Sequence, residues 1–254
     1  MEKPVLKVDN LGIDFGGLTA VNNFSMEVYP NEIVGLIGPN GAGKTTVFNM
    51  LTKVYQQSRG TIILNGQDTD KLDTVATSKL GFARTFQNIR LFSNLSVLDN
   101  VKLGMHNSTN YSLIDGILRL PKYYSEEKKA DEKAMDLLKI MSLDEYADIA
   151  AGSLPYGAQR RLEIARALAT DPKILLLDEP AAGMNPQETE ELMAMIRFVR
   201  DHFHIAVLLI EHDMRLVMGI CERIYVLNYG MLLAKGTPDD IQNNTEVIKA
   251  YLGD

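Results

Sequence analysis

Apolar and polar positions alternate in short stretches at the start of the chain, with turn residues between them, and predict small antiparallel strands within residues 5–34. The apolar run EIVGLIG at 32–38 predicts a buried strand. The helix predicted after it would bury four apolar residues at helical spacing, namely Val47, Phe48, Leu51 and Val54. GTIILNGQD at 60–68 predicts a further strand with a turn at Asn65–Gly66.

The pattern changes between about 88 and 170, where strand signals give way to helical periodicity. In the helix predicted over 125–141, Ser125 is a candidate N-cap, and the apolar face consists of Ala130, Ala134, Leu137, Leu138 and Met141. Strands are predicted again at 173–179, 204–212 and 223–228. Because helical stretches such as 186–200 separate them, the chain is expected to be an α/β protein. Its core would be a mostly parallel sheet, joined by an antiparallel β portion and an inserted helical portion.

Composition excludes several classes of protein. Of the 254 residues, 46% are hydrophobic and 23% charged, which is typical of a globular chain rather than a disordered one. The net charge of -7 argues against a nucleic-acid partner, and the charges of QRRLEIAR at 159–166 are expected on a solvated helix face. The single cysteine, Cys221, excludes an internal disulfide and is expected to be a small buried residue in a reducing compartment.

Membrane and export signals are absent from the sequence pattern. The first ten residues carry charges and no apolar segment of the kind found in secretory signals. The longest apolar runs fall far short of the roughly 20 residues that a membrane-spanning helix needs. The chain is therefore expected to stay in the compartment where it is made and not to cross a membrane by itself.

The segment GPNGAGKTT at 38–46 matches the P-loop pattern G-x-x-x-x-G-K-[ST], with a predicted strand before it and a helix after it. In a P-loop the backbone amides and the helix N-terminus surround phosphates, the lysine bridges the β- and γ-phosphates, and a hydroxyl ligates Mg²⁺. ATP and Mg²⁺ are thus the expected ligands. The expected nucleotide-binding residues are Gly38, Asn40, Gly41, Ala42, Gly43, Lys44, Thr45 and Thr46, and Thr45 is also a metal ligand. The alternative is a plain strand-to-helix turn, for which glycine also supplies the backbone angles.

Three other predicted strands end in residues with suitable chemistry. ILLLDEP at 174–180 delivers Asp178, expected to hold Mg²⁺, and Glu179, expected to be the general base toward water. Gln87 in TFQN would contact both Mg²⁺ and the attacking water, and His212 in LLIEHD would reach the γ-phosphate. Taken alone, Gln87 or His212 is more often an ordinary surface or core residue. Their order after the P-loop favours the catalytic interpretation.

The order of the P-loop, Gln87, LPYGAQRR at 154–161, LLLDEP and His212 resembles that of the ATP-binding cassette (ABC) ATPases over the full chain. The resemblance implies one cassette domain over 1–254, with a nucleotide-binding core and β subdomain in 1–87 and 166–254 and a helical subdomain in 88–165. It implies a signature that contacts ATP held by a second cassette, formed by Leu154, Pro155, Tyr156, Gly157 and Gln159. It also implies that Phe15 stacks on adenine, although spacing alone is as compatible with a core position.

The chain departs from the family's common L-S-G-G-Q signature at Pro155, Tyr156 and Ala158, which removes a hydroxyl and an amide. Asn185 also stands where an aspartate is common. These departures, with ARTFQNIRLF at 83–92 and the final YLGD, resemble the ATP-binding subunits of bacterial high-affinity branched-chain amino acid importers.

That resemblance implies an ATP-hydrolysing motor at the cytoplasmic face of the membrane. Its partners would be transmembrane permease subunits and a second cassette, identical or related. By the same resemblance, residues 88–124 lie near the groove that receives the permease. Packing of the helical insertion explains the apolar residues of that segment equally well.

Other functions stay open at this stage. A related motor that extracts lipid or lipopolysaccharide would differ only in loop detail. A switch that binds ATP without turnover would explain Pro155 and Ala158, but it has little use for a base such as Glu179 beside the γ-phosphate. A soluble cassette acting in DNA repair or translation would need a basic face and a coiled coil or second cassette, and the sequence offers neither.

Overall fold

The computed structural model of the protein describes residues 3–106 and 121–252. Up to residue 87 the elements are β1 (Leu6–Phe15), β2 (Leu18–Val28), β3 (Ile33–Ile37), α1 (Lys44–Leu51), β4 (Arg59–Leu64), β5 (Gln67–Asp68), α2 (Thr74–Lys79) and β6 (Phe82–Arg84). Next come α3 (Val97–Gly104), α4 (Pro121–Ile140) and α5 (Tyr156–Leu168), with short 3-10 turns at Asp144–Tyr146 and Ala151–Ser153. The last elements are β7 (Ile174–Asp178), α6 (Pro186–Phe203), β8 (Ala206–Ile210), α7 (Met214–Ile220), β9 (Arg223–Asn228), β10 (Met231–Gly236), α8 (Pro238–Gln242) and α9 (Thr245–Leu252).

The chain divides into two compact units, one of residues 1–87 and 173–254 and the other of residues 88–172. The first unit holds two sheets. One is antiparallel, in the order β2-β1-β4-β5, and the other has the order β10-β9-β3-β8-β7-β6. In the second sheet the pairs from β9 through β6 are parallel, and β10 is an antiparallel edge strand. The predicted mostly parallel sheet with an antiparallel β portion is confirmed.

Strands β3, β7 and β8 form the middle of the parallel sheet, and every residue in them is buried. Continuous apolar runs of this kind are expected where helices cover both faces of a sheet. Ile210 of β8 pairs with Asp178 of β7 on one side and with Leu36 of β3 on the other. The carboxyl ends of the three strands therefore lie level with one another. The loops that follow them therefore open at one edge, where ligands of parallel sheets bind.

Helix α1 is shorter than the sequence predicts. Val47, Phe48 and Leu51 are fully buried as expected, but the helix ends at Leu51. Val54 lies beyond that end and is more than half exposed, so its assignment to the buried face is wrong. The chain turns there because Lys53 takes a left-handed conformation, with φ of 58°.

The second unit is helical in its described part, where the only strand-like pairing is a single bridge between Ser96 and Ala150. Helix α4 already includes Pro121, so the prediction that Ser125 is its N-cap is wrong. Ala134, Leu137 and Leu138 form the buried face of α4. Much of the 88–124 segment lies in residues 107–120, outside the described residues, and its relation to a permease stays a prediction.

The charges of residues 159–166 are not on a solvated face, contrary to the prediction. Arg160 and Glu163 are completely buried, and Arg160 Nη1 lies 2.7 Å from Glu163 Oε2. The i, i+3 spacing puts both side chains on one side of α5. Because that side faces the interior of the helical unit, each charge is compensated by the other rather than by water.

Candidate active site

Glycines define the backbone of the 38–46 loop between β3 and α1. Gly38, Gly41 and Gly43 have φ angles of 153°, 79° and 102°. A Cβ at Gly38 would lie 2.0 Å from the carbonyl oxygen of Leu227, and one at Gly43 would lie 3.0 Å from that of Ala20. Only glycine allows the loop to pass so close to neighbouring backbone.

The loop leads directly into α1, whose N-cap is Gly43. No side chain among the described residues caps the first turn of this helix. The first N–H groups of a helix lack intrahelical partners and carry the positive end of its dipole. Thr45 is exposed on that turn and Asn40 is exposed in the loop. This end of α1 can therefore bind an anion such as a phosphate.

The Lys44 side chain folds over this loop. Its Nζ donates hydrogen bonds to the carbonyl oxygens of Gly38 at 2.7 Å and Pro39 at 3.0 Å. Burial lowers the pKa of the Lys44 ammonium, and the carboxylates of Glu179 and Asp178 oppose that shift. The ammonium thus lies within electrostatic reach of both strand-end acids.

Asp178, the last residue of β7, is held by an arginine that the sequence analysis did not identify. Arg84 Nη2 lies 2.6 Å from Asp178 Oδ2, and the two side chains are only 9% and 8% exposed. The other terminal nitrogen of Arg84 donates to Asn49 Oδ1 at 2.8 Å. The ion pair fixes one carboxylate oxygen of Asp178.

Gln87 and His212 both lie close to Glu179. Gln87 Nε2 donates to Glu179 Oε2 at 2.6 Å, and His212 Nδ1 lies 3.8 Å from the same oxygen. Glu179 itself has a positive φ of 45°, a conformation that costs of order 1–3 kcal/mol in a residue other than glycine. The Glu179 carboxylate thus lies within reach of both Gln87 and His212.

Glu211, between β8 and His212, is a second functional candidate that the sequence analysis missed. Its carboxylate is 1% exposed. One oxygen accepts from the amide of Ala181 at 2.8 Å, and the other accepts from the amides of His212 at 2.9 Å and Asp213 at 3.2 Å. Glu211 therefore joins the loop after Glu179 to the loop that carries His212. The sequence signal that could have identified Glu211 is its position in LLIEHD, directly before the predicted catalytic residue His212.

Phe15 ends β1 and pairs with Leu18 across a two-residue turn. Its ring is 45% exposed, so the alternative that it is a core residue is wrong. The Tyr55 ring packs edge-on against it, with centroids 5.3 Å apart. An exposed aromatic face held in place by a second ring is suited to stacking on a base.

The sequence-predicted signature lies at the start of α5 in the helical unit. Pro155 is the N-cap, and its carbonyl accepts from the Gln159 amide at 2.9 Å. Gln159 Nε2 also donates to the carbonyl of Leu154 at 2.8 Å. Tyr156 is exposed, and a Cβ on Gly157 would contact none of the described residues within 4 Å. Space is therefore open beside the first turn of this helix.

The loop after Glu179 ends at Asn185, which is the N-cap of α6. Asn185 Oδ1 accepts from the amides of Gln187 and Glu188, and Glu188 Oε2 accepts from the Asn185 amide at 2.8 Å in a capping box. Asparagine and aspartate cap helices about equally well. The replacement of the common aspartate therefore leaves the helix start intact.

A cavity of about 510 Å³ lies beside the P-loop on the side of the C-terminal helix. The loop side of it is formed by Pro39, Asn40, Gly41 and Ala42, and the opposite wall by Glu246, Lys249 and Ala250 of α9. Burial raises the pKa of the neighbouring Tyr251 to about 12, and the Gly38 backbone opposes that shift. The C-terminal helix is thus packed beside the phosphate-binding segment.

The oxygen donors beside the P-loop fit Mg²⁺. Asp178 offers a carboxylate, Gln87 an amide oxygen and Thr45 an exposed hydroxyl, all hard ligands. Within the described residues, no three side chains of His, Cys, Asp or Glu gather in a group that would hold a metal. Such a sparse set suits an ion that is bound through one or two carboxylates and the substrate phosphates.

Every helix in the described ranges, 3–106 and 121–252, is too short or too polar to span a bilayer. Cys221 is buried, as predicted, and burial raises the pKa of its thiol.

Comparison with known proteins agrees with this site. The ABC transporter family model matches residues 21–182, and a model described as branched-chain amino acid ATP-binding cassette transporter matches residues 231–254. The chain is 50% identical over 254 residues, all of both chains, to the high-affinity branched-chain amino acid transport ATP-binding protein LivG of Escherichia coli K12. It is 35% identical over 249 residues to the lipopolysaccharide export system ATP-binding protein LptB of the same organism, covering 98% of this chain and 97% of LptB.

Among solved structures, a nucleotide-free ATP-binding cassette from an ABC transporter superposes with a TM-score of 0.85 at 27% identity, covering 99% of this chain and 100% of that one. The family model alone covers more than half of the 254 residues. The chain therefore belongs to the ABC transporter family and is one of its nucleotide-binding ATPases.

Proposed function

We propose that this chain is the ATP-hydrolysing motor of an importer for branched-chain amino acids, with Glu179 as the general base. The convergence of Gln87 and His212 on Glu179 beside the P-loop carries the proposal. A binding-only switch has no use for a carboxylate held in this way next to a phosphate site. The 50% identity to LivG over 254 residues supports the choice of substrate.

In this mechanism the P-loop amides and Lys44 hold the phosphates of ATP, and Phe15 stacks on the adenine. Mg²⁺, held by Thr45, Gln87 and Asp178, would neutralise charge on the phosphates when bound. Glu179 accepts the proton of the attacking water, while the Gln87 amide orients the Glu179 carboxylate. His212, whose Nδ1 lies 3.8 Å from Glu179 Oε2, would contact the γ-phosphate and keep the water in line.

The signature residues would complete the site from outside. Leu154, Pro155, Tyr156, Gly157 and Gln159 of a second cassette would cover the ATP, with the open first turn of α5 directed at the γ-phosphate. Closure of two such cassettes on ATP and reopening after hydrolysis would drive the attached permease subunits, because ATP favours the closed state. The chain would then lie at the cytoplasmic face of the membrane, held there by its partners.

The test of substrate is reconstitution of the chain with its permease subunits and binding protein in proteoliposomes. ATP-dependent accumulation of labelled leucine is expected, together with ATP turnover that rises when the loaded binding protein is present. Glu179→Gln is the matched control and should abolish both. Release of lipopolysaccharide without leucine uptake would instead support the function of the LptB relative.

A further inference from the structure

Arg84 forms a buried ion pair with Asp178, a strand-end acid of the active site. It is the last residue of β6, three positions before Gln87. Its Nη2 contacts Asp178 Oδ2 at 2.6 Å. Its Nη1 donates to Asn49 Oδ1 at 2.8 Å and approaches Thr52 Oγ1 at 3.3 Å, both of which belong to the end of the P-loop helix.

The guanidinium is also fixed by two aromatic rings. Its central carbon lies 5.6 Å from the Phe48 ring centroid and 5.2 Å from that of Phe86, both within the range of cation–π attraction. A planar group that is held by rings and hydrogen-bonded at both terminal nitrogens has few alternative orientations. Arg84 therefore holds a fixed positive charge against Asp178, with one terminal nitrogen on the carboxylate and the other on Asn49.

Arg84 thus links three parts of the site: β6, which leads to Gln87; α1, which begins at Lys44; and β7, which ends at Asp178. The contact engages Oδ2 of the Asp178 carboxylate. Groups that fix the orientation of a metal ligand in this way typically change metal affinity or activity by 10- to 100-fold when removed.

We propose that Arg84 is a positioning residue for ATP hydrolysis that holds the Asp178 carboxylate in the orientation needed for Mg²⁺. This inference rests on the proposed function, because it takes Asp178 as the acid on the metal side of the site. In this role Arg84 acts through its ion pair with the Asp178 carboxylate.

The test is a double-mutant cycle of Arg84→Gln, Asp178→Asn and the combined variant, with Mg²⁺ titrations of ATP turnover. Arg84→Gln is expected to raise the half-saturating Mg²⁺ concentration about tenfold or more and to lower kcat, with KM for ATP at saturating Mg²⁺ changed by less than about twofold. The combined variant is expected to be no worse than Asp178→Asn, because two residues that act as one unit are not additive.

A second readout is independent of turnover. Binding of a fluorescent ATP analogue is measured in EDTA and again with Mg²⁺. In EDTA, Arg84→Gln should bind the analogue with the affinity of the wild type. With Mg²⁺ present, it should lose most of the gain in affinity that the wild type shows. Arg84→Lys keeps the charge without the planar guanidinium and should restore part of that gain. It also serves as the test variant if Arg84→Gln does not fold, as judged by circular dichroism.

Arg223→Gln is the matched control. Arg223 also lies against two aromatic rings and pairs with a carboxylate, Glu32 at 2.9 Å, in the same compact unit but at the start of β9. Its loss should leave the Mg²⁺ dependence unchanged. An equal Mg²⁺ shift in Arg223→Gln, or additive losses in the cycle, would overturn the role of Arg84.

The outcomes separate the two proposals. If the wild type does not turn over ATP, or Asp178→Asn leaves the Mg²⁺ dependence unchanged, the proposed function fails, and the Arg84 inference fails with it. If both behave as expected but Arg84→Gln shows wild-type Mg²⁺ dependence, only the Arg84 inference is wrong.

Discussion

Replacing Glu211 by alanine should both destabilise the protein and slow ATP turnover. The Glu211 carboxylate accepts three backbone hydrogen bonds, from Ala181, His212 and Asp213, and is almost fully buried. His212 and Asp213 are exposed enough to bond to water after the change, but Ala181 is buried. The Ala181 amide would therefore be left without an acceptor.

The magnitude follows from these contacts. A buried group left unsatisfied costs about 1–3 kcal/mol, and hydrogen bonds to a charged group contribute about 1.5–3 kcal/mol each. Since water replaces two of the three bonds and the cost of burying the carboxylate is removed, we expect a net loss of about 2–4 kcal/mol in the free energy of unfolding. For a chain of this size that corresponds to a fall in Tm of roughly 5–10 °C.

The assay is thermal unfolding by circular dichroism, followed by ATP turnover at a temperature where both proteins are folded. Turnover should fall about tenfold or more, because the loops of Glu179 and His212 lose their common attachment. Glu190→Gln is the control, since Glu190 pairs with Arg215 at 2.7 Å on the surface and such pairs contribute at most about 1 kcal/mol. A Glu211→Ala protein with wild-type Tm and turnover would refute this reasoning.

Three further outcomes are expected. Lys44→Ala should abolish measurable ATP binding in a fluorescence titration, while Lys53→Ala, a comparably buried lysine beyond the end of α1, should bind normally; equal losses would contradict the phosphate role. Phe15→Ala should raise the Kd for ATP by about five- to 150-fold, since stacking contributes roughly 1–3 kcal/mol per base, and the exposed Leu18→Ala should not. Because its thiol is buried with a raised pKa, Cys221 should react with a thiol reagent at pH 8 only after denaturation, and rapid labelling of the native protein would argue against that burial.

Local sequence patterns were sufficient to predict the sheet and the positions of the strand ends. The strands β3 and β8 are apolar throughout, and β7 is apolar up to its final Asp178, so all three patterns clearly indicate buried strands. A P-loop between a strand and a helix has few other interpretations. The parallel register then brings residues that are far apart in sequence to one edge. Gln87 and Glu179, 92 positions apart, come within hydrogen-bonding distance in this way.

The features that sequence analysis missed depend on long-range pairing of charges. The partner of Arg84 is 94 positions away, and no local pattern identifies it. The same limitation explains why Arg160 and Glu163 were assigned to a solvated face, since an i, i+3 pair of opposite charges is ordinarily exposed. In this protein the pair is buried, and that could be recognised only from the packing of the surrounding helices.

The ends of two helices were also mispredicted because periodicity says little about where a helix stops. Val54 continues the apolar spacing of α1, but the left-handed Lys53 ends the helix before it. Ser125 has the chemistry of an N-cap, yet α4 already includes Pro121.

The most direct test of the central claim, that Glu179 is the base of an ATP-hydrolysing motor, is ATP turnover by the wild type beside Glu179→Gln, with size-exclusion chromatography of each in Mg·ATP. Loss of a general base typically lowers the rate by about 10²- to 10⁴-fold. We expect turnover by the wild type, and a Glu179→Gln protein that binds ATP, loses turnover and accumulates as a dimer. A wild type that binds ATP without turnover even in the presence of its membrane partners, or a Glu179→Gln protein that hydrolyses at the wild-type rate, would contradict the claim.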